Sequence, residues 1–314
     1  MLKLINRLVK KYSRAIYLAF ALLVTSVISH VSLAANNNVK SIEKRLSVAD
    51  DVILIIENER GQIDIEGWTE NQVMIEGTLD VLAKDILIDQ DDFHVFVKVK
   101  VPKIKSAQDR RGSNLKIRVP QGSKIVFKGV GTALSVKNIK NELNLESQSG
   151  DVTLDKITGR VLVKTVSGRV NAKDVQGVVD ISTVNGNVAG NVDSHYLKVS
   201  SVKGKIDLKL KVIDRIEISN VSGESMIYGD LSINSFVEMT SVDGQNYLYP
   251  EQQPESDVYL FVGQAGKSEI GYTVINPFLN DYQSWNQLLK AGDIRSVIKL
   301  STVSGVVGIR KKAK

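Results

Sequence analysis

Few side chains in these 314 residues have the chemistry of a catalyst or a metal ligand. Cysteine is absent, and the three histidines are His30, His94 and His195. Ser194 directly precedes His195, but neighbours along a strand point to opposite faces, so the two do not form a nucleophile and base pair. His94 follows Asp89, Asp91, Asp92 and Phe93, a grouping that approaches a calcium loop yet lacks its turn glycine and its closing glutamate. Asp151, Asp155, Asp174, Asp180, Asp207 and Asp214 are the remaining acids to weigh for glycoside hydrolysis, which needs two carboxyl groups at a set separation. They share no common repeat position and alternate with lysines, as on a solvated face. The expectation is no catalytic residue, no metal ligand, no cofactor and no enzyme.

What must position any surface here is a repeat. Gly150, Gly168, Gly186, Gly204, Gly223 and Gly244 recur with gaps of 18, 18, 18, 19 and 21 residues. A period this short makes each unit a strand-sized piece that buries its apolar side only by stacking on its neighbours. Counted back from each glycine, position −7 holds Val161, Val179, Leu197, Ile216 and Val237, and position −5 holds Val163, Ile181, Val199, Ile218 and Met239. Position −2 is Val166, Val184, Val202, Val221 and Val242, and position −11 is Ile157, Val175, Val212 and Ile233, broken by Asp193. After the glycine, Val152 and Leu154, Val170 and Ala172, and Ile206 and Leu208 continue the alternation.

Period-two β-branched patterning predicts strands with one buried face. It runs in two phases nine residues apart, so position −2 is expected to point inward with the residues after the glycine. The fold class predicted is all-β, a single-stranded β-solenoid of about 18 residues per coil. The turn glycines occupy positions where a Cβ would clash or φ would be positive. Gly305 restarts the template, with Ile294, Ile298, Leu300, Val303, Val307 and Ile309 in place.

The chain divides on this basis into five segments. Residues 1–34 read as a signal peptide, 35–125 as irregular β-rich coils or a cap, and 126–244 as the regular solenoid. Residues 245–293 are an insertion or capping segment in which Ser284 to Lys290 has the pattern of a short helix, and 294–314 are a final coil with a basic tail. Lys3, Arg7, Lys10, Lys11 and Arg14 precede an apolar run from Ala15 to Ile28, and Ser32-Leu33-Ala34 supplies the small residues of a cleavage site between Ala34 and Ala35. The run is too short to span a bilayer comfortably, so no transmembrane span is expected after cleavage. The charge follows the same division. The formal net charge is +6 and residues 1–34 carry five basic side chains and no acid, which leaves +1 for the remainder and removes the argument for nucleic acid.

Thr165-Val166-Ser167-Gly168-Arg169-Val170, echoed at Ser222-Gly223 and at Thr302 to Val307, resembles the bacterial β-strand-repeat family labelled "putative adhesin", a domain of unknown function. Asn58 to Ile63, Ile65 to Trp68 and Leu115 to Ser123 share the likeness. The resemblance implies an exported β-solenoid without a defined ligand.

One column offers a surface, Ser147, Thr165, Thr183, Ser201, Asn220, Ser241 and Thr302 at position −3. Such hydroxyl and amide side chains either satisfy turn backbone groups or form a polar ridge for an envelope protein or glycan. Self-association through the solenoid ends is the other contact expected. The function expected is a structural or adhesin-like interaction protein of the cell envelope, with the periplasm as default compartment and the cell surface or medium as alternatives. A periplasmic sensor or regulatory partner in envelope-stress signalling is the second reading, and a polysaccharide-acting β-helix enzyme the third.

Overall fold

The computed structural model describes residues 40–101, 112–254, 256–271, 286–289 and 296–311. The signal peptide expected over residues 1–34 and its expected Ala34/Ala35 cleavage site fall outside these residues.

Strands account for every regular element among the described residues. The first part of the chain forms β1 (Ser41–Ser47), β2 (Ile53–Trp68), β3 (Gln72–Thr78), β4 (Asp85–Gln90), β5 (His94–Lys100) and β6 (Ser113–Pro120). There follow β7 (Lys124–Lys137), β8 (Leu143–Ser149), β9 (Val152–Thr165), β10 (Val170–Thr183), β11 (Val188–Ser201), β12 (Lys205–Asn220) and β13 (Glu224–Ser241). The last part contributes β14 (Gln245–Tyr249), β15 (Asp257–Val262), β16 (Lys267–Ile270), β17 (Asn286–Leu289), β18 (Val297–Thr302) and β19 (Val306–Ile309). All of them join one continuous sheet. No helix among the described residues is long and apolar enough to cross a membrane.

The glycine period becomes a pairing register. Val152 of β9 lies beside Val170 of β10, Val170 beside Val188 of β11, and Val188 beside Ile206 of β12, all in parallel. Each step is eighteen residues, so equivalent side chains sit directly above one another at the strand spacing of about 4.8 Å. β12 and β13 pair Lys205 with Glu224, and β13 and β14 pair Glu224 with Gln245, which absorbs the longer gaps.

At the far end the order in space departs from the order in sequence. β18 lies between β13 and β15, and β19 lies between β14 and β16. The segment around Gly305 thus stacks directly on the Gly244 segment, while β15 and β16 are carried one layer further out. The outer side of β15 is covered by β17 in antiparallel pairing. This corrects the helix expected over Ser284 to Lys290, since Asn286–Leu289 is extended. An edge strand leaves its amides and carbonyls without partners, and pairing them outweighs a weak local helical pattern.

The near end is closed similarly. β2 runs alongside β7, with β5 and β6 in turn on its other side. β4 pairs antiparallel with β5, β3 with β6, and β1 with β3. Arg60 and the fully buried carboxylate of Asp80 form a two-pronged ion pair that ties β2 to the connection after β3. Asp80 also accepts from the Leu82 amide and has its own amide bonded to Ser113 Oγ.

Positions −7 and −5 and the two positions after each glycine form the core, nearly all of them fully buried. Each such side chain contributes about 1.5–3 kcal/mol by leaving water. Position −2 does not belong to this core. Val166, Val184, Val202, Val221 and Val242, with Val303, are 39–55% exposed. The inward phase instead runs on to position −3 and changes only after the glycine. At the other corner, Asn138, Lys156 and Asp174 adopt positive φ immediately before the buried Ile139, Ile157 and Val175. That left-handed residue turns the following side chain inward, so the two corners are not equivalent and the nine-residue analogy fails between Ile157 and Val166.

Two further expectations change. Val212 is 38% exposed while Ile213 is fully buried, because this repeat carries one extra residue and the pairing shifts around it. Ile233 is 78% exposed, and Ser235 occupies the interior in its place.

Candidate interaction surface

The turn that ends each long strand is built from four consecutive residues with different tasks. The residue at −3 points inward, and Ser147, Thr165, Thr183, Ser201, Asn220, Ser241 and Thr302 are all at most 8% exposed. In most layers their polar atoms serve the turn, while the Ser201 hydroxyl is buried without a hydrogen-bond partner. Thr183 and Thr302 accept from the amides of Gly186 and Gly305 at 2.8 and 2.9 Å, and Ser147 and Thr165 donate to the carbonyls of Ser149 and Ser167 at 2.9 and 3.1 Å. Asn220 donates to Ser225 Oγ and to Asn246 Oδ1 within the stack. This column is an internal ladder, the first of its two readings, and its burial leaves no open polar ridge at these positions.

The next residue, at −2, faces solvent. Its carbonyl accepts from the amide one place beyond the equivalent residue of the following layer, from Asn185 to Val166, Lys203 to Val184, Ser222 to Val202, Asp243 to Val221 and Ser304 to Val242, at 2.7–3.0 Å. The valines are therefore in vertical register along one edge. Serines at −1 add a second tie, with Ser149, Ser167, Ser222 and Ser304 donating to the carbonyls of Val130, Gln148, Val202 and Val242. At the glycine itself a Cβ would collide with the carbonyl oxygen of the layer below, as at Gly186 over Gly168, and Gly168 also has φ of 123°.

This outward column is the feature that sequence reasoning missed. The signal was present in the two polar residues that share it. Glu59 and Gln148 are out of place in an interior column, but both are exposed at −2.

Beside the valine edge lies a sheet face made of outward columns. Position −4 begins as an alternating ionic series, Lys98, Glu57, Lys128, Glu146 and Lys164, with Lys98 and Glu57 at 2.6 Å and Lys164 and Glu146 at 3.7 Å. It then changes to Ser182, Ser200, Ser219, Thr240 and Ser301, which are neighbours in the pairing. Position −6 continues as Asp180, Lys198, Glu217, Glu238 and Lys299, and position −8 as Val178, Tyr196, Arg215, Phe236 and Val297. The Arg215 guanidinium lies over the rings of Phe236 and Tyr196, at 5.0 and 5.7 Å. Two grooves open on this side. One of about 630 Å³ runs past Lys98, Lys128, Val130 and Val166, and one of about 420 Å³ is lined by Phe236, Tyr259, Val297 and Lys299.

Of the acids singled out in the sequence, Asp91, Asp151 and Asp214 are drawn to local partners, as is the neighbouring Glu217. Arg169 hydrogen-bonds Asp151 at 2.7 Å and holds its carboxyl below the ordinary carboxylate value. Asp214 is lowered by the Ser232 hydroxyl and by His195, whose Nδ1 is 3.0 Å away. Glu217 is lowered by Arg215, with a further hydrogen bond from the Tyr196 hydroxyl. Asp91 is lowered by the amide of Phe93 and by the ring and amide of His94. Ser194 is buried and bonded to the Gly177 and Tyr196 carbonyls, while His195 is exposed, so the two face apart. Among the described residues no group of three or more histidine or acidic side chains is arranged to hold a metal ion.

No family profile matches the sequence, and no curated protein matches it. Solved structures to which the chain shows similarity include a "putative lipid binding protein" of Parabacteroides distasonis, 14% identical, covering 87% of this chain and 97% of that one with a TM-score of 0.46. A "putative adhesin" of Parabacteroides merdae is also 14% identical, with the same coverage and a TM-score of 0.40. A "putative cell adhesion protein" of Clostridium sporogenes is 13% identical, covering 87% of this chain and all of that one with a TM-score of 0.24.

Proposed function

We propose that the stacked strands form a β-solenoid of about 18 residues per coil, exported to the cell envelope, where it acts as a structural or adhesin-like interaction protein without catalysis. The observation that carries this reading is the long face on which every layer repeats the same outward positions, −8, −6, −4 and −2. A surface of this kind recognises another extended object, a polymer or a protein, by repetition. Three surface acids support the same reading. A glycosidase needs one carboxyl group whose pKa is raised so that it can donate a proton, whereas Asp151, Asp214 and Glu217 are all held low by basic or hydroxyl neighbours.

Protease treatment of intact cells tests the role. Cleavage of the chain on the cell surface is the outcome expected of an adhesin-like protein. Full protection on intact cells, with cleavage only after the envelope is opened, would exclude adhesion to outside ligands and confine the protein to the periplasm.

A further inference from the structure

The outward columns have a symmetry that the individual residues do not announce. Val221 stands in the fourth of the six stacked layers that carry Val166, Val184, Val202, Val221, Val242 and Val303. Consider a second copy laid face to face and antiparallel, with a two-fold axis through the Val221 layer. Each column then meets itself in reverse order, so the layer below the centre faces the layer above it.

On the axis itself Glu217 meets Glu217 and Arg215 meets Arg215, like charges that are each offset by the Arg215–Glu217 ion pair at 2.9 Å within the same copy. On either side of the axis the charges match under that operation. In column −1 the charged residues of these six layers are Lys203, one layer below the centre, and Asp243, one layer above it, and both are exposed. Lys203 of each copy therefore faces Asp243 of the other. Column −6 behaves in the same way, because Lys198 and Glu238 flank the centre by one layer and Asp180 and Lys299 by two. In column −8, Tyr196 comes opposite Phe236, next to the groove lined by Phe236, Tyr259, Val297 and Lys299. In column −4 hydroxyls meet hydroxyls, and along the edge valine meets valine.

We propose that this face is a homodimer interface, formed by two copies of the chain packed antiparallel about the Val221 layer. A second copy is the occupant favoured because it carries the same strand spacing and the complementary charge order in one surface. Isologous two-fold pairing requires this kind of self-complementarity, in which residue i meets j and j meets i. Five paired layers at about 4.8 Å by eight residues at about 3.3 Å give a footprint of roughly 24 by 26 Å. That approaches the roughly 800 Å² per partner of a specific interface, so a concentration-dependent dimer is expected. The inference is independent of the adhesin-like role, which a monomer serves equally well.

Sedimentation velocity on the purified protein, over a concentration series, gives the test. The wild type should shift toward a dimer as concentration rises. Lys203→Asp or Asp243→Lys alone places two like-charge contacts across the axis and should weaken association at least tenfold, while Lys203→Asp with Asp243→Lys should restore it. Both sites are exposed, and matching thermal melts of the variants will show that the fold is retained. A wild type that stays monomeric throughout overturns the proposal. So does a dimer that ignores the single reversals, which would locate the contact elsewhere, for example at the stack ends. Failure of the double reversal to recover association overturns the antiparallel register.

Discussion

Thr183 Oγ1 accepts a hydrogen bond from the amide of Gly186 at 2.8 Å, from inside the stack. The hydroxyl is buried, and the turn depends on it because the amide it satisfies has no access to water. Replacing Thr183 by valine keeps the volume and removes the acceptor. The expected cost is about 1–3 kcal/mol, the penalty for a stranded buried donor, measured by denaturant unfolding. Serine at the same place should recover most of it.

The extra residue in the Gly223 coil predicts an inversion of the usual expectation from pattern. Ile213→Ala should cost about 2–5 kcal/mol, as for truncation of a fully buried aliphatic side chain. Val212→Ala should change stability by no more than about 0.5 kcal/mol. Equal losses at the two positions would show that the pairing is shifted by one residue.

Asp151 links pH to stability. Its folded-state pKa lies below the ordinary value of 3.8 because of Arg169, so the unfolded chain binds the proton more readily. The ion pair's contribution is therefore complete above that ordinary value and is lost as pH falls through the folded pKa. An NMR titration of the Asp151 carboxyl carbon should show a midpoint below 3.8, moving upward in Arg169→Gln. Since the pair is on the surface, its effect on stability should also shrink with added salt.

Asp80 makes a buried ion pair rather than a surface one. Its carboxylate is fully buried against Arg60 and caps the Leu82 amide. Asp80→Ala removes the buried partner and should destabilise by about 3 kcal/mol. Amide exchange should rise first in β3 and in the connection that follows it.

Deleting residues 296–314 should damage segments that precede the cut in sequence. β15 and β16 lose the parallel partners β18 and β19 that join them to β13 and β14. Limited proteolysis should then cleave between residues 250 and 293 while 143–249 stay protected. Protection of β15 and β16 in the truncated chain would show that they dock without the last coil.

Much of this organisation is legible in the residues themselves. A glycine returning every 18 positions and the apolar columns at −7 and −5 become the register and the core, because identical side chains stack only when the repeat and the pairing offset agree. What the tertiary structure decided is direction at the corners and order at the ends. Valine at −2 and hydroxyl at −3 exchange their expected faces, since a turn amide in the interior needs an acceptor that valine cannot supply. Insertion of β18 and β19 between earlier strands, and extension of Asn286–Leu289 along β15, arise because open strand edges are satisfied by whatever chain can reach them. The self-complementary face exists only once the layers are in register, when residues 40 positions apart, such as Lys203 and Asp243, become equidistant from one layer.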